Sequence, residues 1–241
     1  EICERREAWF ASMADRQADT DPVTISRFLL ELRGAVADDA IIAHSSGNVQ
    51  AAIISEFPFY EPRTNLTTGG FSTMGWAYPA ALGAKVAKPE KQVLAVIGDG
   101  DFSMTMQEMA FAVQHNIPVV ACVLNNMGWQ AIKDIQWDAF GEGRHIGVEF
   151  QTQDGEPYTP HFANVAREFG LHSERISRPE EIKPAIQRAL ATGRPALVEI
   201  MVNRTYPNSG TPATGWWDVP IPTYLEERRK QYEDARREEQ L

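Results

Sequence analysis

VLAVIGDGDFSMTMQEMAFAVQHNIPVVACVLNN, residues 93–126, is the stretch that decides the fold of this chain. It begins with an apolar run at 93–97, turns at the glycines of 98–100, continues with helix-forming residues and ends in a second apolar run at 119–124. Two apolar runs that flank a helical segment are typical of a β-α-β unit in a parallel sheet. The stretch therefore predicts an α/β protein.

The polar ends of the two predicted strands indicate a metal and anion site. Parallel strands end at the same edge of a sheet, and ligands of open α/β sheets bind at that edge. Asp99 and Asn126 are expected to meet there, beside Gly98 and Gly100, which allow a ligand to approach the backbone closely. Mg²⁺ takes oxygen ligands and few of them from protein. We expect Asp99, the Asn126 amide and the Gly128 carbonyl to hold it.

The spacing of these residues resembles a known motif. A GDG turn, 24 further residues (101–124) and then Asn125 and Asn126 resemble the thiamine-diphosphate motif of the acetolactate synthase, benzoylformate decarboxylase and 2-hydroxyacyl-CoA lyase group. The resemblance implies thiamine diphosphate and Mg²⁺ as cofactors, with the backbone at Gly100 and Asp101 on the phosphates. Asp101 is an anion near a diphosphate, so its side chain is expected to turn outward or to cap the helix.

A second stretch, NLTTGGFSTMGWAYPAALGAK at 65–85, resembles the GGLGTMGxxxPAAxGA segment of the same group. The resemblance implies that Met74 is the apolar wedge that keeps the two cofactor rings folded together. It also implies that the carbonyl of Ser72 accepts a hydrogen bond from the 4′-amino group. Ser72 replaces the usual glycine of the segment. The alternative for Met74 is a methionine of the core.

Two further loops supply candidate residues. In the family, the loop equivalent to 44–48 contacts the diphosphate, which makes Ser46, Gly47 and Asn48 candidates; an ordinary helix N-cap cluster is the alternative. Residues 127–140 predict a helix that begins just beyond the second metal ligand. Trp129 and Gln130 would then reach the substrate from the mouth of the site, although Trp129 is equally compatible with packing.

The order of elements predicts the architecture and three parts of the chain. The pattern favours a doubly wound, mostly parallel sheet with helices on both faces, the thiamine-diphosphate-binding fold, followed by an irregular C-terminal extension. We assign residues 1–22 to a connector helix, 23–203 to the diphosphate and Mg²⁺ domain, and 204–241 to the extension. Within the extension, 206–225 is rich in proline and tryptophan and is interpreted as a lid or strap, followed by a charged terminal helix.

Composition limits the partners and the compartment. The net charge of −10 argues against nucleic acid as a general partner. The sequence has no apolar stretch of membrane-spanning length, and its two cysteines suggest neither a disulfide nor a metal cluster. We expect a cytoplasmic protein with no membrane association.

The resemblance implies part of an enzyme. It covers roughly 24–202 and lacks the pyrimidine-binding domain, whose glutamate activates the cofactor in the family. We expect a subunit, or the N-terminal remainder of the same enzyme, to supply that domain, in dimers or tetramers of such pairs. The implied reaction is lyase or synthase chemistry on a 2-oxo acid, an acyloin or a 2-hydroxyacyl-CoA. The alternatives are a 2-oxo-acid decarboxylase subunit, a non-catalytic thiamine-diphosphate-binding subunit and a Rossmann nucleotide-binding protein. The sequence does not support the Rossmann alternative, because no G-x-G-x-x-G follows the first strand.

Overall fold

The computed structural model describes residues 1–204, 219 and 221–239. Over these residues six strands alternate with helices. The strands are β1 (Ile41–His44), β2 (Asn65–Thr67), β3 (Val93–Gly98), β4 (Val120–Asn125), β5 (His172–Ile176) and β6 (Ala196–Met201). The helices are α1 (Ile2–Ala11), α2 (Ile25–Ala35), α3 (Gly47–Glu56), α4 (Ala77–Ala87), α5 (Asp99–Ser103), α6 (Met109–Gln114), α7 (Gln130–Phe140), α8 (Phe162–Glu168), α9 (Pro179–Ala191) and α10 (Glu226–Glu239).

The strands form a single parallel sheet in the order β2-β1-β3-β4-β6-β5. The chain leaves β1 toward one side of the sheet and β3 toward the other, so the order reverses between these two neighbours. Their ladder ends at the pair Ala43 and Ala95, whereas β3 continues for three more residues. Ligands of such sheets bind at the carboxyl edge where the strand order reverses. The fold therefore places the most favourable binding position directly after β1 and β3.

Alternation along the central strands builds a core on each face of the sheet. Leu94 and Val96 of β3 pack in a cluster with α2, α3 and α9, whereas Ala95 and Ile97 pack with α4, α6 and α8. All four side chains are at most 1% exposed. Burial of one large aliphatic side chain contributes about 1.5–3 kcal/mol. The two faces together anchor the strands whose ends carry the site.

The predicted α/β class and the doubly wound parallel sheet with helices on both faces are confirmed. Two of the six strands, β2 and β5, were not predicted, and both lie at the edges of the sheet. The helical segment after the glycine turn is also divided: α5 ends at Ser103, a short 3₁₀ turn follows at Met106–Glu108, and α6 starts at Met109. Thr105 separates the two helices, since its φ of −137° and ψ of 18° are not helical.

The N-terminal segment is attached to the domain by few contacts. Helix α1 has no buried residue and is followed by a 3₁₀ turn at Ala14–Gln17, so the predicted connector is two short helices. The Trp9 indole Nε1 donates to the carbonyl of Ser55 at 2.7 Å, and Met13 is buried. The boundaries of the three predicted parts remain predictions. Most of 206–225, the predicted lid or strap, lies outside the described residues.

None of the helices in the described part of the chain is long and apolar enough to cross a membrane.

Candidate functional site

A cavity opens at the carboxyl edge of the sheet, where the strand order reverses. It is bounded by the loop after β1, the loop before α4, the glycine turn after β3 and the loop between β4 and α7. Ten predicted site residues line it: Ser46, Gly47, Asn48, Met74, Asp99, Gly100, Asn126, Gly128, Trp129 and Gln130. Of the other three, Gly98 ends β3, and Ser72 and Asp101 lie behind the cavity lining. Segments distant in sequence thus converge as predicted from the sheet geometry.

Asp99 is a buried carboxylate on the cavity wall, with 2% of its surface exposed. Its Oδ1 accepts from the backbone N–H of Gly100 at 2.9 Å, and its Oδ2 accepts from that of Gly128 at 3.3 Å. Burial raises the pKa of Asp99 to about 6, against the opposing effect of these two hydrogen bonds. The ionised Asp99 carboxylate therefore destabilises the folded chain, and a bound cation would offset this cost.

The loop after β4 carries the other two predicted metal ligands. Met127 adopts a left-handed backbone with φ of +56°, and the Trp129 N–H donates to the Val148 carbonyl at 2.8 Å. Gly128 is packed so tightly that a Cβ there would lie 2.6 Å from the Gln130 amide and 2.8 Å from the Val148 carbonyl oxygen. A left-handed turn followed by a residue without room for a side chain gives the loop one defined shape.

Several buried polar atoms at this cavity have no hydrogen-bond partner among the described residues: Asn126 Oδ1, Trp129 Nε1, and Oε1 and Nε2 of Gln130. Buried polar groups are almost always paired, so each such group calls for an explanation. A free amide oxygen beside a buried carboxylate is the donor set that Mg²⁺ prefers. No group of three or more His, Cys, Asp and Glu side chains suited to a metal occurs in the described ranges, so a cation here would depend on Asp99, Asn126 and main-chain oxygen.

Gly100 forms the floor of the site, with the Trp129 indole against it. A Cβ on Gly100 would lie 2.1 Å from Trp129 Nε1 and 3.3 Å from the Phe150 ring. The Trp129 and Phe150 rings meet edge to face, with centroids 5.2 Å apart. The indole therefore lies directly on the glycine turn that the sequence assigns to the diphosphate. Residues present at the site thus fit a magnesium diphosphate group: a carboxylate, a free amide oxygen, a turn without side chains and an unpaired N–H.

The loops that would hold the organic part of the cofactor are joined to each other. Ser72 has a left-handed backbone with φ of +48°, a conformation that favours glycine, and its hydroxyl donates to Gln50 Oε1 at 2.7 Å. Met74 is half-buried on the cavity wall. Asn48 donates to Asp134 Oδ2 at 3.0 Å, across from α3 to α7. The roles predicted for these residues stay predictions. The Ser72 contact joins its loop to α3, and the Asn48 contact joins α3 to α7.

The prediction for the Asp101 side chain was wrong. The carboxylate turns inward and is 5% exposed. It accepts hydrogen bonds from the hydroxyl of Ser45 and from the backbone N–H of Gly75, and burial raises its pKa. Because both acceptor atoms are occupied by donors behind the cavity, the negative charge is kept away from the predicted diphosphate position. Asp101 joins the loop after β1 to the loop that carries Met74.

Three charged residues that support the site were not predicted. Arg204 donates from Nε to the Asn126 carbonyl at 3.1 Å and from Nη2 to the Met127 carbonyl at 2.9 Å, and it pairs with Glu149. Glu199 is completely buried in β6 and reaches the same loop through Asn125. The signal for Glu199 was available in the sequence, since it is the only charge in the apolar run PALVEIMV. No local pattern marks Glu149, which lies within the loop between α7 and α8, or Arg204, which follows the end of β6.

Charged and aromatic residues cluster around Glu149, next to the loop after β4. Lys133 lies 3.2 Å from Glu149 and 4.9 Å from the centre of the Trp137 ring. His145 accepts a hydrogen bond from Trp137 Nε1 at 2.8 Å. Residues 141–160 contain no helix and only isolated bridges, and they fold back over the loop after β4.

Comparisons with known proteins agree with this geometry. Residues 45–200 match the model of the thiamine pyrophosphate enzyme C-terminal TPP binding domain. The chain is 37% identical over 179 residues to the acetolactate synthase large subunit of Corynebacterium glutamicum, which covers 73% of this chain and 28% of that protein. It is 27% identical over 219 residues to the sulfoacetaldehyde acetyltransferase of Castellaniella defragrans, covering 83% and 35%.

A solved structure shows the same fold. The Rhodococcus jostii RHA1 thiamine diphosphate-dependent 4-hydroxybenzoylformate decarboxylase superposes with a TM-score of 0.69 at 25% identity, over 77% of this chain and 34% of that chain. The chain thus spans about a third or less of the length of the relatives described. The family match covers well over half of its residues. The chain belongs to the thiamine pyrophosphate enzymes and carries their C-terminal TPP binding domain.

Proposed function

We propose that this chain is the diphosphate- and Mg²⁺-binding part of a thiamine-diphosphate-dependent lyase or synthase that breaks or forms a C–C bond next to a carbonyl. One observation carries the proposal: the buried Asp99 carboxylate and the unpaired Asn126 amide oxygen line one cavity beside the Gly100 floor. A structural domain has no need for such a costly arrangement, because a buried acceptor without a donor and a buried carboxylate without a cation among the described residues both destabilise the fold.

The residues have separate tasks in the proposed site. Asp99, Asn126 and the Gly128 carbonyl would hold Mg²⁺, and the backbone at Gly100 would receive phosphate oxygens. Met74 would fix the shape of the cofactor from the cavity wall. When bound, thiamine diphosphate supplies a nucleophilic carbon and a ring that accepts an electron pair from the substrate. The chain itself contributes position and a site shielded from water, with Trp129 and Gln130 nearest the mouth.

We further propose that the pyrimidine-binding glutamate comes from another chain or another segment of the same enzyme. The relatives support this, since this chain spans only 28% of the Corynebacterium glutamicum acetolactate synthase large subunit. Assemblies of two or four such pairs would complete the active sites, in the cytoplasm. The partner would cover the open side of the cavity.

The relatives favour one substrate class. Relatives named acetolactate synthase, at 30–38% identity, support a reaction that joins two 2-oxo acids. Cleavage of an acyloin or a 2-hydroxyacyl-CoA, which we also propose, uses the same carbonyl chemistry in the opposite direction. A second candidate is simple decarboxylation of a 2-oxo acid, favoured by the likeness to the Rhodococcus jostii decarboxylase.

A capture experiment tests the proposal. The tagged chain is isolated from its native extract, the partner and bound cofactor are identified by mass spectrometry, and the assembly is supplied with pyruvate. A synthase is expected to condense two 2-oxo acids and to release one CO₂ for each product formed. A decarboxylase, the second candidate, is expected to release CO₂ and an equal amount of aldehyde. A 2-hydroxyacyl-CoA is then offered to the same assembly. Failure to retain thiamine diphosphate in the presence of Mg²⁺ contradicts both.

A further inference from the structure

Glu199 is a carboxylate in an unusual place. It lies in β6, opposite Val123 of β4 and Arg175 of β5, and its exposed fraction is 0%. Its neighbours along the strand, Val198 and Ile200, belong to the apolar core. Burying a carboxylate is costly unless it is well paired, so a fully buried one needs partners that offset the loss of water.

The partners of Glu199 lead to the metal loop. Oε1 accepts from Asn125 Nδ2 at 2.8 Å, and Oε2 accepts from the backbone N–H of Ala163 at 3.0 Å. The guanidinium of Arg175 lies 3.6 Å from Oε1, which supplies opposite charge. Asn125 is also fully buried and directly precedes Asn126, the predicted metal ligand.

Asn125 transmits this contact to the loop. Its Nδ2 donates a second hydrogen bond to Thr159 Oγ1 at 2.8 Å, and its Oδ1 accepts from the Met127 N–H at 3.1 Å. An ionised carboxylate can only accept hydrogen bonds, so Glu199 fixes the Nδ2 end of this amide toward itself. The Oδ1 end must then face Met127. The left-handed backbone of Met127 is strained, and it is maintained only when surrounding contacts hold it in place.

We propose that Glu199 is a positioning residue for the Mg²⁺ and diphosphate site, acting through Asn125 on the Asn126–Gly128 ligand loop. The inference rests on the proposed function. Arg204 holds two carbonyls of the same loop from the other side. With both residues in place, the Asn126 amide oxygen stays free and lines the cavity. Partners behind metal ligands typically contribute 10–100-fold to metal affinity or activity.

The first test is Glu199→Gln in the complete assembly. The substitution keeps the volume but replaces one acceptor with a donor, so either Asn125 or Ala163 loses its partner. Calorimetric titration with thiamine diphosphate and Mg²⁺ is expected to show an affinity about 10–100-fold weaker than that of the wild type. Manganese binding, followed by the electron paramagnetic resonance of the free ion, is expected to weaken in parallel without any turnover.

A matched control separates positioning from general destabilisation. Val198→Ala changes the next residue of β6, on the other face, inside the apolar cluster with α2 and α9. It is expected to lower the melting temperature and to leave cofactor affinity unchanged. Thr159→Val removes the second acceptor of the Asn125 amide and gives a milder test, with an expected loss of about 2- to 10-fold, equivalent to one ordinary hydrogen bond.

A reciprocal exchange gives the sharpest result. Asn125→Asp alone sets two carboxylates against each other and is expected to lose affinity. Combined with Glu199→Gln it restores a donor facing an acceptor, and the double variant is expected to recover most of the lost affinity. No recovery, or a loss in Glu199→Gln no greater than in Val198→Ala, overturns the inference while the proposed function stands. Failure of the wild type to bind thiamine diphosphate overturns both.

Discussion

Asp99 and Asp101 are two buried carboxylates, separated by one residue, whose hydrogen-bond partners and surroundings differ. Asp99 faces the cavity and accepts from the backbone N–H groups of Gly100 at 2.9 Å and Gly128 at 3.3 Å. Asp101 faces away from it and accepts from a hydroxyl and a backbone N–H that join two other loops. Burial raises the pKa of both. The comparison teaches that the partners of a buried carboxylate, rather than its burial, distinguish the predicted metal ligand Asp99 from Asp101, which joins two loops.

The largest effect that would test this comparison is expected from Asp99→Asn. Loss of the one charged residue in the predicted ligand set is expected to weaken Mg²⁺-dependent binding of thiamine diphosphate by more than about 100-fold, which exceeds the contribution of partners behind a ligand. Without Mg²⁺ the same variant is expected to change stability less than Asp101→Asn does, because removal of the buried charge offsets the loss of one acceptor for a backbone N–H. Calorimetric titration and thermal unfolding measure the two quantities.

Asp101→Asn is the matched variant two residues away. Its amide cannot accept from both Ser45 and Gly75, so the free energy of unfolding is expected to fall by about 1–3 kcal/mol. Cofactor affinity is expected to fall less than tenfold. Equal losses of affinity in the two variants would show that the distinction between Asp99 and Asp101 is wrong.

The pH dependence of stability is expected to sharpen the comparison. The pKa of Asp99 is about 6 in the folded chain and 3.8 ordinarily, so the folded state binds more protons between these values. Stability without Mg²⁺ is therefore expected to fall as pH rises from about 4 to about 6, by up to about 3 kcal/mol from this group. The raised pKa of Asp101 acts in the same direction.

Denaturant unfolding at several pH values measures this slope, and Asp99→Asn is expected to remove its own share of it. Saturating Mg²⁺ with thiamine diphosphate is expected to flatten the remaining slope, because a cation keeps the carboxylate ionised. A slope unaltered by Asp99→Asn would contradict the raised pKa.

The smallest expected effect concerns two tryptophans, one with an unpartnered N–H at the cavity and one with a partner outside it. Trp129 Nε1 is buried without a partner in the described part of the chain and lies on Gly100, whereas Trp137 Nε1 donates to His145. Binding of magnesium thiamine diphosphate is expected to change the intrinsic fluorescence through Trp129. Trp129→Phe should remove that change and Trp137→Phe should keep it, with stability changes of about 1 kcal/mol. A signal that survives Trp129→Phe would place the indole away from the cofactor.

Burial explains which parts of the fold the sequence predicts. The central strands β3 and β4 are buried on both faces, so they are continuous apolar runs with an unmistakable pattern. The edge strands β2 and β5 are mostly half-exposed and partly polar, and pattern alone did not separate them from loops. Their place in the sheet depends on pairing with β1 and β6, which local sequence does not encode.

The site divides in a similar way. Residues on the strand ends, such as Asp99 and Asn126, are predictable because parallel strands bring their carboxyl ends together. The inward turn of Asp101 depends on Ser45 and Gly75, which lie 56 and 26 residues away. Partners at such sequence distances leave no local signal. The same holds for Arg204, 78 residues from the carbonyl it holds.

The early end of the ladder between β1 and β3 has a consequence for hydrogen–deuterium exchange. Beyond Ala43 and Ala95 the two strands separate, so the last residues of β3 lose their neighbour on one side at the position where the cavity opens. Backbone amides of β3 that face this gap are protected from solvent only when a ligand fills the gap. The amides of β4 and β6 are protected by their hydrogen bonds within the sheet. Bound cofactor should therefore slow exchange along this seam and leave the centre of the sheet unaffected.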